Sequence, residues 1–157
     1  MSSENFVHLH NHTEYSMLDG AARIKKLIAK AVELEMPAIA MTDHGNAHGA
    51  YEFWKQATTQ GIKPIIGIEA YLAPGSRLEK SKVRWGTGGD DDVSGGGAYS
   101  HMTMWSTDNA SMQNLFRLSS EAYLSGYYFK PRMDRELLHK YGRGLIATTG
   151  CPGGEVQ

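Results

Sequence analysis

An α/β fold follows from two patterns in the 157 residues. Short runs that are apolar on both faces alternate with amphipathic stretches, and proline, glycine or polar clusters mark each switch. Runs apolar on both faces belong to strands covered on both sides, which predicts a mostly parallel sheet. A third observation concerns chemistry: the residues able to bind metal gather at the ends of the apolar runs.

The first extended run is Phe6 to His12. Residues 21–34 follow as a helix, with Ile24, Leu27, Ile28 and Ala31 at the spacing of one buried face. Pro37 ends it, because the residue before proline leaves the helical region. Residues 38–42 form a short buried strand leading into Asp43-His44-Gly45. A helix over about 47–60 puts Ala50, Phe53, Trp54 and Ala57 on one face and stops at Gly61. Residues 64–73 are an apolar strand broken by Glu69, and 100–105 are another strand. A helix over about 110–123 uses Met112, Leu115, Phe116 and Leu118. The next starts at the N-cap Asp134 and stops at Gly142, and residues 144–149 are the last strand. Between them, residues 75–98 are rich in glycine and acid and have no periodicity, so they read as a flexible insertion. Their Gly86-x-Gly88 lacks the further glycine and the helix start of a phosphate-binding loop.

Composition narrows the function. With 41% apolar residues and a net charge of -1, the chain can build one core and is not disordered. Near-neutral charge excludes a small protein that coats DNA through charge alone, but not a nucleic-acid enzyme whose metal ions supply the positive charge. No run is long and apolar enough to span a membrane, and the first 20 residues lack a signal-peptide pattern. One cysteine excludes an internal disulfide framework. These bounds predict a cytoplasmic globular protein.

His8, His10 and His12 alternate with Val7, Leu9 and Asn11, so an extended chain puts all three imidazoles on one face. Three histidines on a buried strand are costly unless they bind metal or are hydrogen-bonded. A single such histidine would read as a core residue bonded to a carbonyl; three in alternation favour metal. Glu69, between Ile66, Ile68, Ala70 and Leu72, must be paired, coordinated or protonated. Asp43-His44, His101 and Cys151 complete the candidates at run ends. Alone, His101 is divided between core residue and ligand, and Cys151 reads as a small buried hydrophobe. His48 and His139 take no role. Imidazoles with carboxylates suit zinc, manganese or iron, and so many ligands fit a cluster of two or three ions, which points to metal-assisted hydrolysis of a phosphate ester.

The run Phe6-Val7-His8-Leu9-His10-Asn11-His12-Thr13-Glu14-Tyr15-Ser16-Met17-Leu18-Asp19-Gly20 closely resembles the opening motif of the polymerase and histidinol phosphatase (PHP) domain. Met41-Thr42-Asp43-His44-Gly45, Gly67-Ile68-Glu69-Ala70-Tyr71 and Thr149-Gly150-Cys151-Pro152-Gly153-Gly154 match its later motifs in order. The Glu-Tyr-Ser-x-Leu-Asp-Gly run and the Gly-Cys-Pro ending resemble the form at the N-terminus of the α subunit of bacterial DNA polymerase III.

The resemblance implies the N-terminal part of a distorted seven-stranded β/α (TIM-like) barrel, C-terminally incomplete, with 1–157 as one partial PHP domain. It implies His10, His12, Asp19, His44, Glu69, His101 and Cys151 as metal ligands, with His12, Asp19 and Glu69 carrying catalysis. His8 and Asp43 are expected to orient the ligands. It implies two or three divalent ions (Zn, Mn or Fe, with Mg admissible) and a 3′–5′ exonuclease of proofreading type. In the parent DNA-directed DNA polymerase, the implied partners are DNA at the primer 3′ end and replisome subunits such as the sliding clamp. A metal-holding scaffold that docks partners and a stand-alone small-molecule phosphatase are the alternative roles within the superfamily. The family's downstream Asp-x-His is absent from the sequence. The chain therefore reads as an N-terminal fragment, expected to be of poor stability when isolated because an incomplete barrel leaves strand edges unpaired.

Overall fold

Among the described residues, four helices cover one face of a five-stranded sheet, and the other face carries candidate ligands. The computed structural model describes residues 6–83, 95–150 and 152–154. In chain order the elements are α1 (Ile24–Glu33), β1 (Ala38–His44), α2 (Ala50–Thr59), β2 (Lys63–Leu72), β3 (Ser100–Ser106), α3 (Asn109–Leu124), β4 (Arg132–Met133), α4 (Arg135–Tyr141) and β5 (Leu145–Ala147).

The sheet is mixed rather than mostly parallel. β1 and β4 pair parallel with β2, whereas β2–β3 and β3–β5 are antiparallel. A parallel pair needs a crossover, usually helical. Such helices precede β2 and β4, but the described part of the β2–β3 connection holds only a 3-10 turn at Gly95–Gly97. An apolar run looks the same in either direction, so its sequence does not reveal the reversal.

Ile24, Ile28 and Ala31 of α1, Phe53 and Ala57 of α2, Leu115, Leu118 and Ala122 of α3 and Leu137 of α4 pack on the sheet residues Ile39, Met41, Ile66, Ile68, Ala70 and Met104. Trp54 does not join them. It is 49% exposed, because it stands about 100° around the helix from Phe53, beyond the face that Ala50, Phe53 and Ala57 define. α1 begins at Ile24 rather than 21 because Ala22 bridges to Thr13 and its carbonyl accepts from the Glu14 amide. The Glu14 carboxylate then accepts from the Ile24 amide at 2.9 Å, an anionic cap where the helix dipole favours one. Glu35, at φ 54°, turns the chain out of α1 before Pro37.

β4 was not legible in the sequence. It extends the β1 edge of β2 beyond His44, at Tyr71 and Leu72. Its Arg132 is fully buried and donates to the carbonyls of Gly126, Ala98, Arg77 and Glu79 at 2.9–3.2 Å. The guanidinium thereby ties the β2–β3 connection to the α3–β4 connection.

The described ends of the 75–98 segment are anchored. Arg77 pairs with Asp134 at 3.1 Å, and the Val83 amide donates to Gly97 at 2.9 Å. Residues 84–94 of this expected flexible insertion lie outside the described residues.

Candidate metal centre

β-sheet register assembles the floor of the centre. Along β2, Ile66, Ile68, Ala70 and Leu72 enter the core, so alternation turns Glu69 and Tyr71 to the opposite face. His44, the last residue of β1, pairs with Glu69. Because β3 is antiparallel, its beginning lies at the same edge as the ends of β1 and β2. His101 therefore pairs with Tyr71 and stands two residues from Thr103, the partner of Glu69.

The opening segment runs beside β1 without forming a regular strand. The Ala40 amide donates to His8 and the Thr42 amide to Asn11, so three residues of advance match two on β1. The Asn11 side chain fills this bulge by donating to the carbonyls of His8 and Ala40. The extra residue breaks the two-residue alternation expected of the three histidines. His10 and His12 turn to Glu69. His8 is exposed, its ring edge-on to Phe6, and among the described residues it makes no hydrogen bond to a ligand candidate.

Asp43 supports the next turn from behind. Fully buried, it accepts from the Thr13 amide (2.6 Å), the Thr13 hydroxyl (2.7 Å) and the Ser16 hydroxyl (2.8 Å). Ser16 Oγ in turn accepts from the His44 amide at 2.9 Å. These bonds fix the turn whose two ends carry His12 and Asp19. Gly20 closes it: a Cβ there would lie 2.5 Å from the Thr13 carbonyl and 2.7 Å from His12 Cβ, which only glycine avoids.

Five side chains meet Glu69 or one another. His10 Nε2 is 2.6 Å and His12 Nε2 3.0 Å from Glu69 Oε2, and His101 Nδ1 is 2.7 Å from Oε1. His44 Nε2 is 2.7 Å from Asp19 Oδ2, and the rings of His12 and His44 stack 4.1 Å apart. Glu69 is 2% exposed. Burial pushes its carboxyl upward, but hydrogen bonds from His10, His101 and His12 outweigh that and hold it well below the usual carboxylate range. Burial also works to lower His12, yet Glu69 and Asp19 raise it; in His44 burial prevails and lowers the imidazole. Asp19 is lowered chiefly by its bond to His44.

The donor set fits a divalent metal. His10, His12 and Glu69 form one group with ligand atoms within 4.8 Å of one another, and His12, Asp19 and His44 form a second, sharing His12. Nδ1 of His12 and of His44 are buried with no hydrogen-bond partner, a cost that a protein centre of this kind normally avoids. Imidazole nitrogens with carboxylate oxygens suit zinc, manganese or iron. A divalent ion bound there supplies Lewis acidity to a phosphoryl oxygen and acidifies water. The chain's own residues hold its ligands in register and keep the carboxylates ionised. Cys151 lies outside the described residues; near it, Gly153 accepts from the His101 amide at 2.9 Å.

Asp19 was not recoverable from spacing, because it reaches His44 through a turn rather than along a strand. Tyr71 and Tyr99, which pack on His44 and His101, were also missed; an aromatic residue two places from a candidate ligand, Tyr71 after Glu69 and Tyr99 before His101, was the available signal.

An α/β sheet that gathers histidines around a buried glutamate at one strand end defines the class: a protein with a strand-end histidine–carboxylate centre. The chain belongs to the PHP domain family, whose model matches residues 8–157. It is 60% identical to DNA polymerase III subunit alpha of Saccharopolyspora erythraea, over 100% of this chain and 14% of that protein. The Thermus aquaticus DNA polymerase III subunit alpha is 50% identical over 99% of this chain and 12% of its own length. The chain thus spans about a seventh of the first of these relatives. An amidohydrolase from Chromobacterium violaceum, solved with sulfate and no metal, has a TM-score of 0.49 at 22% identity, covering 74% of this chain and 32% of that one. Among the described residues, no helix is long and apolar enough to cross a membrane.

Proposed function

We propose that this chain is the PHP region of a bacterial DNA polymerase III α subunit and acts as a metal-dependent phosphodiesterase that removes nucleotides from DNA 3′ ends. The observation that carries the reading is the convergence of His10, His12 and His101 on the two oxygens of Glu69, with Asp19 and His44 adjoining. That arrangement offers ligands for two or three divalent ions, drawn from zinc, manganese, iron or magnesium. His10, His12, Asp19, His44, Glu69 and His101 hold them, joined by Cys151; His12, Asp19 and Glu69 are closest to the reacting phosphate.

The similarity to polymerase α subunits over the whole chain supports DNA replication as the setting, in the cytoplasm. Polymerisation belongs to the parent protein, with the primer 3′ end as its substrate and replisome subunits such as the sliding clamp as partners. The test is release of 3′-terminal nucleotides from a labelled oligonucleotide by the full protein, with and without chelator. Activity that is lost in chelator and in Asp19→Asn supports the reading. Release unchanged in Asp19→Asn overturns it.

A further inference from the structure

A cleft of about 500 Å³ opens beside Asp19, His44 and His101, within the size range of a small-ligand site. Its outer rim is unusual for a surface. Tyr127 and Phe129, which line it, are 55% and 59% exposed, and Leu18, next to Asp19 in the chain, is fully exposed (102%). Phe129 sits at φ 61°, a left-handed conformation that a bulky side chain rarely adopts, in a tight loop closed by the Tyr128 amide donating to Lys130 at 3.1 Å. Strain of this kind persists where surrounding structure imposes it, and here its result is a ring held out over the cleft.

Two lysines lie against aromatic rings that line the cleft, the exposed Phe129 and the buried Tyr71. Lys82 Nζ lies 5.0 Å from the centre of the Phe129 ring, and Lys130 Nζ lies 5.6 Å from that of Tyr71. Exposed aromatic faces among lysines are the chemistry that holds an unpaired nucleic-acid strand: bases stack, and ammonium groups meet the backbone. An apolar peptide would leave the lysines without a purpose, and a small phosphate ester would not need the aromatic rim.

We propose that Tyr127 and Phe129 form a stacking platform for the unpaired bases at a DNA strand end, leading the terminal phosphodiester to the histidine–carboxylate centre. The inference rests on the phosphodiesterase reading. Tyr127 and Phe129 are positioning residues and not metal ligands, and a paired end must fray before it reaches them.

Binding and cleavage separate the two claims. The probe is a single-stranded oligodeoxynucleotide carrying 2-aminopurine at its 3′ terminus, titrated with the full protein in chelator and followed by fluorescence. Stacking quenches the probe, and Phe129→Ala or Tyr127→Ala weakens binding about tenfold, while Phe129→Trp retains it. With metal present, the same alanine variants raise KM about tenfold and leave kcat unchanged; an abasic terminal residue removes the difference between variant and parent. Unaltered quenching and affinity in both alanine variants overturn the platform. Quenching that depends on Phe129 in a protein that never cleaves overturns the phosphodiesterase reading alone. Metal-dependent cleavage with parental KM in both variants overturns the platform alone.

Discussion

Replacing Asp43 by asparagine tests how the turn from Thr13 to Gly20 is held. The carboxylate is fully buried and accepts three hydrogen bonds of 2.6–2.8 Å. An amide of the same shape can keep the Thr13 amide and the Ser16 hydroxyl on its oxygen, but its NH2 then faces the Thr13 hydroxyl. That hydroxyl must turn its proton away, although its oxygen already accepts from the Tyr15 amide. A bond to a charged group is worth about 1 kcal/mol more than a neutral one. Three such losses, offset in part by no longer burying a charge, leave a net destabilisation of about 2 kcal/mol. Urea unfolding followed by tryptophan fluorescence measures it, and Thr13→Val in a double-mutant cycle isolates the hydroxyl contribution. Because the turn carries His12 and Asp19, metal affinity should fall about tenfold or more as well. A Asp43→Asn protein within about 0.5 kcal/mol of the parent, with no coupling to Thr13, would refute the reasoning.

Arg132→Met leaves four carbonyl acceptors in a buried site without their donor and should cost about 3 kcal/mol or more; thermal unfolding of the variant measures it. Asp134 has a carboxyl held below its ordinary value: burial opposes this, but bonds from the Arg77 and Leu137 amides and from the Arg77 side chain prevail. Its stabilisation is therefore present above the unfolded pKa, about 4, and is lost as pH falls through the lower folded value. Asp134→Asn should be less stable at neutral pH and show a shallower loss of stability below about pH 4, read by urea unfolding across that range. Ile28→Ala removes a fully buried side chain of α1 and should cost about 2–5 kcal/mol; a smaller effect in denaturant melts would mean that α1 does not seal the core.

Much of this arrangement is written locally. The spacing of Ile24, Ile28 and Ala31 places α1, and the break of an apolar strand by Glu69 marks the centre, because no side-chain packing explains an ionised carboxylate there. What escapes the sequence depends on partners distant along the chain. The antiparallel direction of β3 does not follow from its own apolar residues, which would read the same either way. Arg132 looks like a surface residue until carbonyls from two separate connections converge on it. His8 differs from His10 and His12 only because a bulge against β1 intervenes, and nothing in the alternating pattern encodes a bulge. Asp19 meets His44 across a turn, so its part in the centre came from resemblance and not from periodicity.

The most direct test of the centre is the metal content of protein purified without chelator, measured by elemental analysis beside His12→Ala, since His12 belongs to both ligand groups. At least two equivalents of divalent metal per chain, falling below one in the folded variant, are the expected result. A folded parent protein that retains no metal, or a His12→Ala protein that retains all of it, would contradict the account.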